Sequence, residues 1–179
     1  LKDKFVVGHV GRLHPQKNHD FLIDVFAELK KKKPDAELIL VGTGPLEEKV
    51  KSKVVEKGLS DCVHFLGNRK DMNRIYQAMD VFVFPSLFEG LGIVAIEAQA
   101  ASVPIVCSEG LPPETDITPI YRKLLLSDGA EKWANAALEM AQNLKAHTNM
   151  QQYVIDAGFD MDATAKYMES YYLNRWRTA

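Results

Sequence analysis

The chain has 179 residues, of which 46% are hydrophobic and 26% charged, so its length and composition predict one globular domain with a real core. The formal net charge of -2 gives no support for binding nucleic acid or an anionic membrane. No apolar stretch approaches the roughly 20 residues of a membrane span, and the first residues show no signal-peptide pattern. Cys62 and Cys107 lie far apart in apolar runs, which indicates buried thiols of a cytoplasmic protein rather than metal ligands.

Short apolar runs alternate with helical patterns along most of the chain. The predicted strands are 5–10, 37–41, 63–66, 81–84 and 104–107, with a sixth at 123–126. The predicted helices between them are 18–33, 46–57, 71–78 and 92–101. Such β/α units predict an α/β fold with a doubly wound, Rossmann-like parallel sheet covered on both faces. Ligands of these sheets bind at the carboxyl ends of the strands, here the loops starting at Gly11, Gly42, Gly67, Ser86 and Ser108.

The remainder of the single domain, 1–179, is predicted to be a helical tail from about residue 130. One helical face holds Trp133, Ala137, Leu138, Ala141 and Leu144. The last helix carries an aromatic stripe that we expect to lie in the core, formed by Tyr167, Tyr171, Tyr172 and Trp176. The alternative is that this stripe packs on a neighbouring domain. Because the chain opens almost at once on a strand, we expect a fragment of something longer.

The first loop offers a guanidinium at Arg12 and an ammonium at Lys17, between a strand and a helix. If the two cations converge, they form a diphosphate site that needs no metal; otherwise this is an ordinary polar loop. The turn Gly42–Pro45 resembles half of a dinucleotide fingerprint, but the third glycine is absent. Tight-turn chemistry is therefore the favoured interpretation of its glycines.

The histidines do not form a metal-binding pattern. His9, His14 and His19 are spaced by five, which does not place them on one helix face. We expect His64 to be a strand histidine with its hydrogen bonds satisfied, and His147 to be exposed.

Two glutamates, Glu89 and Glu97, stand eight positions apart across a glycine turn and the start of a nearly apolar helix. An acid on such a face is costly unless it has a partner, and a hydroxyl-rich ligand would supply one. With Arg12 and Lys17 for the diphosphate, the set fits a nucleotide-sugar: Glu97 would accept both hydrogens of the ribose diol, and Glu89 would hold the sugar. The alternative makes Glu89 a partner of the helix dipole and Glu97 a partly buried salt-bridge acid.

The sequence resembles the C-terminal, donor-binding domain of the group 1 glycosyltransferases, the retaining GT-B type with an E-x7-E motif. The resemblance covers about residues 5 to 110. The motifs that carry it occur in order: Gly11-Arg12-Leu13, Lys17-Asn18, Val41-Gly42-Thr43-Gly44-Pro45, Phe65-Leu66-Gly67, Pro85-Ser86-Leu87-Phe88-Glu89-Gly90-Leu91-Gly92 and Glu97-Ala98. A departure follows Ser108, where many relatives have a glycine-rich stretch and this chain has Gly110-Leu111-Pro112-Pro113.

The resemblance implies roles for individual residues. Arg12 and Lys17 would stabilise the leaving diphosphate, Glu89 would contact the donor sugar, and Glu97 would bind the ribose. The other residues assigned to the donor are Leu91, Gly92 and Ile93 through their N–H groups, Asn68 and Arg69 beside the base, and Gly11 and Gly42 in the adjoining loops.

The resemblance also implies a two-domain enzyme that transfers a sugar from a nucleoside diphosphate, without a metal or cofactor, to a polysaccharide or glycolipid. Its N-terminal acceptor domain is missing here, so we expect the chain alone to bind donor weakly and to transfer nothing. Any peripheral membrane contact would belong to the full-length parent. Two other functions stay open: a non-catalytic nucleotide-binding module and, with less support from the glycine pattern, a nicotinamide-dependent dehydrogenase domain.

Overall fold

The computed structural model describes residues 1–142 and 149–177. Its strands are β1 (Phe5–Val10), β2 (Ala36–Val41), β3 (Val63–Phe65), β4 (Val81–Phe84), β5 (Ile105–Ser108) and β6 (Tyr121–Leu124). Its helices are α1 (His19–Lys32), α2 (Glu47–Glu56), α3 (Met72–Tyr76), α4 (Ile93–Ala100), α5 (Ala130–Gln142), α6 (Gln151–Asp156) and α7 (Met161–Arg177). Short 3-10 turns lie at Pro15–Lys17, Pro113–Thr115 and Leu126–Asp128.

The six strands form one parallel sheet in the order β3-β2-β1-β4-β5-β6. β1 pairs with β2 along its whole length on one side and with β4 on the other. The chain therefore winds outward from β1 to β3, returns to the centre and winds outward again to β6. This confirms the doubly wound, Rossmann-like prediction and puts the topological switch point between β1 and β4, where ligands of such sheets bind.

The sixth strand lies two residues earlier than predicted, at Tyr121–Leu124 instead of 123–126. The apolar run that suggested the later position continues into a 3-10 turn, Leu126–Asp128. Asp128 accepts a hydrogen bond from the Leu125 N–H at 3.1 Å, and this contact turns the chain out of the sheet. The prediction was wrong because the apolar residues continue through Leu126, whereas the hydrogen bond to Asp128 ends the strand at Leu124.

Helices cover both faces of the sheet, as its buried strands require. α1, α2 and α5 pack on one face, where Trp133 is fully buried, lies edge-on to Phe21 and donates from Nε1 to the Leu125 carbonyl at 2.9 Å. The predicted apolar face of α5 is confirmed through Ala141; Leu144, like His147, lies outside the described residues. Both cysteines are buried and free, and burial raises the pKa of Cys107 to about 12.

The last helix, α7, contradicts the expectation that its aromatic stripe lies in the core. Tyr167 is 66% exposed and Trp176 84% exposed. The tyrosine rings of the stripe contact one another instead, with the Tyr167 and Tyr171 centroids 6.4 Å apart and those of Tyr171 and Tyr172 5.6 Å apart. The stripe was misassigned because an amphipathic pattern does not say which surface it meets. Within the described ranges, no helix has the length and apolar character needed to cross a bilayer.

Candidate functional site

A cation and an acid meet at the switch point, contributed by the loops that follow β1 and β4. Lys17 Nζ lies 2.7 Å from Glu89 Oε1. The Lys17 side chain is only 16% exposed and the Glu89 side chain 7%, so the ion pair is largely removed from water. Burying either charge without the other would destabilise the fold strongly, so the two side chains depend on each other. The sequence predicted both residues for the site but not their direct contact.

Gln16, which sequence reasoning missed, ties the two loops together. Its backbone carbonyl accepts a hydrogen bond from the Leu87 N–H at 2.8 Å. Its side-chain amide donates to the Phe88 carbonyl at 2.9 Å and approaches Glu89 Oε2 at 3.4 Å. Both oxygens of the Glu89 carboxylate are thus oriented from the first loop.

The Glu89 loop is also supported from the side of β5. The Glu89 N–H donates to the Gly110 carbonyl at 3.0 Å, and the Ser108 hydroxyl donates to the Ser86 carbonyl. A Cβ on Gly110 would lie 2.3 Å from the Leu87 carbonyl oxygen, so only glycine permits this approach. The stretch that departs from the family pattern therefore still contributes a glycine that packs under the acid's loop.

Two neutral histidines lie behind Lys17. His9 and His19 are buried edge to face, with ring centroids 4.7 Å apart, and His9 Nδ1 lies 2.9 Å from the Val83 carbonyl oxygen. Burial lowers the pKa of both imidazoles, that of His19 to about 4, and the nearby Lys17 ammonium lowers them further. Among the described residues, no three potential metal-ligand side chains come together. Because both histidines are neutral near pH 7, Lys17 is the cation that faces Glu89 here.

Arg12 projects from the same loop as Lys17 but is exposed. Within the part of the chain that the structure describes, it has no hydrogen bond or ion pair. Its convergence with Lys17 on one ligand stays a prediction.

The Gly42–Pro45 turn packs directly on the first loop. Gly42 has a φ of 128°, and a Cβ there would lie 2.2 Å from the Gly11 carbonyl oxygen; a Cβ on Gly44 would lie 2.4 Å from the Leu13 carbonyl oxygen. Gly42 also donates from its N–H to the Gly67 carbonyl at 2.8 Å. These contacts confirm the tight-turn interpretation, while direct contact of Gly11 or Gly42 with a ligand stays a prediction.

Glu97 projects from α4 and is exposed, and its partner is Tyr76 at the end of α3. The Tyr76 hydroxyl donates to Glu97 Oε2 at 2.8 Å. Burial, together with the adjacent carboxylate, raises the pKa of Tyr76, so the phenol keeps its proton. The two side chains line a groove of about 390 Å³ between α3, α4 and α6. Because Glu97 forms no ion pair with any described residue, the salt-bridge alternative was wrong, and the acid's partner is a neutral phenol.

The turn before α4 carries backbone donors. Gly92 has a φ of 71°, and its carbonyl accepts from the Ala95 N–H at 2.8 Å as the helix begins at Ile93. The N–H groups of Leu91, Gly92 and Ile93 have no acceptor in the described chain. They fit an anion or a hydroxyl.

The two residues predicted to flank a base follow β3 and are held in place by neighbours. The Asn68 side-chain oxygen accepts from the Thr43 hydroxyl at 3.4 Å. Arg69 forms two hydrogen bonds with Asp71, at 2.9 and 2.8 Å. On β3, Nε2 of His64 is hydrogen-bonded to Oε2 of Glu37 at 2.7 Å, which confirms it as a strand histidine with a hydrogen-bond partner.

A more enclosed pocket of about 230 Å³ lies between α1 and α2, where the apolar side chains of Ile23 and Val50 stand beside charged ones such as Asp20 and Lys53. Neither Lys17 nor Glu89 borders it. The buried Lys17–Glu89 pair lies at the switch point, so the position in the fold, and not the enclosure of a cavity, locates the candidate site.

Comparison with known proteins agrees with this geometry. The model of the family described as glycosyl transferases group 1 matches residues 1–174. The chain belongs to the group 1 glycosyltransferases. This membership and the GT-B likeness confirm the resemblance and leave the dehydrogenase alternative without support.

Individual relatives are similar over part of their length. EpsF of Bacillus subtilis (strain 168) is 35% identical over 140 residues, 78% of this chain and 36% of that protein. Sucrose-phosphate synthase from Thermosynechococcus elongatus aligns with a TM-score of 0.81 and 25% identity, covering 99% of this chain and 47% of that one. The Anabaena protein HepE, in complex with UDP and glucose, has a TM-score of 0.77 at 23% identity and covers 94% and 49%. This glycosyltransferase chain thus spans a third to a half of these proteins.

Proposed function

We propose that the chain is the donor-binding domain of a retaining glycosyltransferase that takes its sugar from a nucleoside-diphosphate sugar. The observation that carries the proposal is the Lys17–Glu89 contact at the switch point between β1 and β4. A cation suited to a diphosphate and an acid suited to sugar hydroxyls stand together where sheets of this class bind ligands. Retention of configuration at the transferred sugar is implied by the resemblance to the retaining E-x7-E family, whose spacing Glu89 and Glu97 share.

In the proposed reaction, Lys17 and Arg12 face the oxygens of the leaving diphosphate. Negative charge grows on those oxygens as the bond to the sugar breaks, and fixed cations favour that change without a metal ion. Glu89 accepts hydrogen bonds from the transferred sugar, and Leu91, Gly92 and Ile93 offer N–H groups beside it. Neither glutamate needs to move a proton.

The nucleoside part of the donor is proposed to lie along α4. Glu97 binds the two ribose hydroxyls, and Asn68 and Arg69 flank the base. Uridine diphosphate is the favoured nucleotide, and the binding of UDP by the structurally similar HepE is in keeping with that choice. Polysaccharides and glycolipids are the proposed acceptors.

A second domain is proposed to complete the cleft. The exposed side chains of Leu87 and Phe88, beside Glu89, and the exposed aromatic stripe of α7 are surfaces that such a domain would cover. On this proposal the chain binds donor but transfers nothing until the N-terminal acceptor domain is supplied. Peripheral membrane contact, if present, belongs to the two-domain parent.

The test is thermal unfolding of this chain with UDP, GDP, ADP, UDP-glucose and GDP-mannose. A ligand at 100 times its Kd raises the free energy of unfolding by about 2.7 kcal/mol, which a melting curve resolves. Glu97→Gln should reduce the shift caused by the nucleotide, whereas Glu56→Gln, an exposed acid on α2, should not. A panel in which no nucleotide shifts the melt would overturn the proposal. In a two-domain parent, sugar transfer that survives Glu89→Ala would favour the non-catalytic module.

A further inference from the structure

We propose that Tyr76 is a positioning residue that holds the Glu97 carboxylate ready for a vicinal diol of the ligand. The inference rests on the proposed function, in which that diol belongs to the ribose of the donor. It adds a residue from α3 to a site otherwise built from the loops and from α4.

The ring of Tyr76 is fixed in place. Its residue is only 3% exposed, and its ring lies edge-on to Phe82, with centroids 6.2 Å apart at 69°. Phe82 belongs to the central strand β4 and is itself fully buried. The phenol therefore has little freedom to swing, and its hydroxyl is carried on a rigid base to the surface of α4.

The Tyr76 hydroxyl hydrogen-bonds to one oxygen of the Glu97 carboxylate and leaves the other acceptor positions open. It donates to Glu97 Oε2 at 2.8 Å, while its next acceptor, the Val94 carbonyl, is 3.4 Å away. A carboxylate has about four acceptor positions on its two oxygens, and one hydrogen bond uses one of them. Glu97 Oε1 and the remaining position on Oε2 stay open to two ligand hydroxyls.

Holding Glu97 matters because the acid is otherwise unconfined. It is exposed on α4, and no described residue other than Tyr76 donates a side-chain hydrogen bond to its carboxylate. An exposed glutamate samples many rotamers and must give up that freedom when it binds. A hydrogen bond from a rigid, buried phenol selects the binding rotamer in advance, and preorganisation of this kind increases affinity.

The test uses Tyr76→Phe, which removes one oxygen and keeps the packed ring. Calorimetric titration measures the Kd of UDP and GDP, of their 2′,3′-dideoxy analogues, and of inorganic pyrophosphate. For whichever ribonucleotide the wild-type chain binds, we expect the variant to raise the Kd by about tenfold. Its dideoxy analogue and pyrophosphate, which lack the diol, should change by less than about twofold.

Two further variants make the result specific. Tyr121→Phe is the matched control, because that phenol is also hydrogen-bonded, to the Thr115 hydroxyl at 2.8 Å, but on β6. It should leave all the affinities unchanged. Glu97→Asp keeps the charge but withdraws the carboxylate from both Tyr76 and the diol, so it should show the selective loss by itself, and adding Tyr76→Phe to it should weaken binding no further.

The outcomes separate the inference from the proposed function. Equal weakening of the binding of the ribonucleotide and of its dideoxy analogue would make Tyr76 merely structural. Unchanged ribonucleotide binding in Tyr76→Phe would remove its role, whatever the effect of Glu97→Asp. A wild-type chain that binds neither UDP nor GDP would instead overturn the proposed function. Wild-type binding without preference for the diol would overturn the ribose assignment of Glu97, and the Tyr76 inference with it.

Discussion

Breaking the Lys17–Glu89 pair from one side should destabilise the domain strongly. The perturbations are Lys17→Met and Glu89→Gln, each of which leaves the partner charge in place with little water around it. Removing one member of a buried ion pair costs about 3–5 kcal/mol, and the partial exposure of Lys17 puts the expected loss near the lower figure, about 3 kcal/mol. Lys17→Met should cost more than Glu89→Gln, because Glu89 is the more buried of the two.

The double variant Lys17→Met/Glu89→Gln decides whether the effect comes from the pair. With both charges gone, no buried charge is left unpaired, so the double variant should be more stable than the sum of the single losses predicts. We expect a coupling energy of about 2 kcal/mol. For a domain of this size, the 3 kcal/mol single loss corresponds to a fall in Tm of about 6–12 °C.

Urea unfolding at neutral pH, with melting curves alongside, measures these energies. The control pair is Lys32–Glu131, which has a similar separation of 2.9 Å but side chains that are 34% and 70% exposed. Exposed pairs contribute at most about 1 kcal/mol, so breaking this one should have little effect. If the variants at Lys17 and Glu89 cost no more than the controls, or if their losses add simply, the reasoning about the buried pair is refuted.

Three more predictions follow from the structure. Gly42→Ala should lower the free energy of unfolding, measured in urea, by at least about 3 kcal/mol, because its Cβ would lie 2.2 Å from a carbonyl oxygen. Gly58→Ala is the control, since Gly58 has a φ of 67° and no atom within 4 Å of an added Cβ, and it should lower that free energy by about 1 kcal/mol. Equal losses would contradict the packing described for Gly42. The pKa of His19 falls from 6.5 to about 4 on folding, so the unfolded chain takes up the proton first. His19 alone should then lower stability by about 3 kcal/mol as the pH drops from 6.5 to 4, and the buried His9 acts in the same direction. His19→Gln should reduce this pH dependence, and an unchanged slope would contradict the assignment. Each tryptophan can be observed alone, Trp176 in the variant Trp133→Phe and Trp133 in the variant Trp176→Phe. Acrylamide should quench the fluorescence of Trp176 far more than that of Trp133, and a Trp176 protected from quenching would mean that α7 is covered.

The fold was predictable because its signals are local and repeated. Apolar runs of strand length, each followed by a glycine, serine or asparagine and then by a helical period, recur along the first 110 residues. The edge strand β6 was displaced because Arg122 and Lys123 make it half-polar, so the apolar run beside it was the stronger signal. The surface that α7 leaves exposed could not be predicted, since periodicity identifies a face but not its neighbour.

The site was predictable in its residue types but not in its contacts. Glu89 and Glu97 stood out because acids are unusual in a glycine turn and on an apolar helix. Tyr76 did not stand out, because it ends a helix of five residues, which is too short for a period, and its partner is 21 positions away. Gln16 was hidden in the same way, since its contacts with the β4 loop are 72 and 73 positions distant.

The ion pair between Lys17 and Glu89 also bears on which molecules can occupy the proposed site. With both charges neutralised by each other, Lys17 is not a bare cation that collects phosphate, and Glu89 is not a bare acid that collects free sugar. A phosphate alone would have to outcompete Glu89 for Lys17, and a sugar alone would have to outcompete Lys17 for Glu89. A ligand that carries an anion and hydroxyl groups on one skeleton can compensate both partners at once. At the Lys17–Glu89 pair, a ligand that carries both features is therefore favoured over a ligand that carries only one of them.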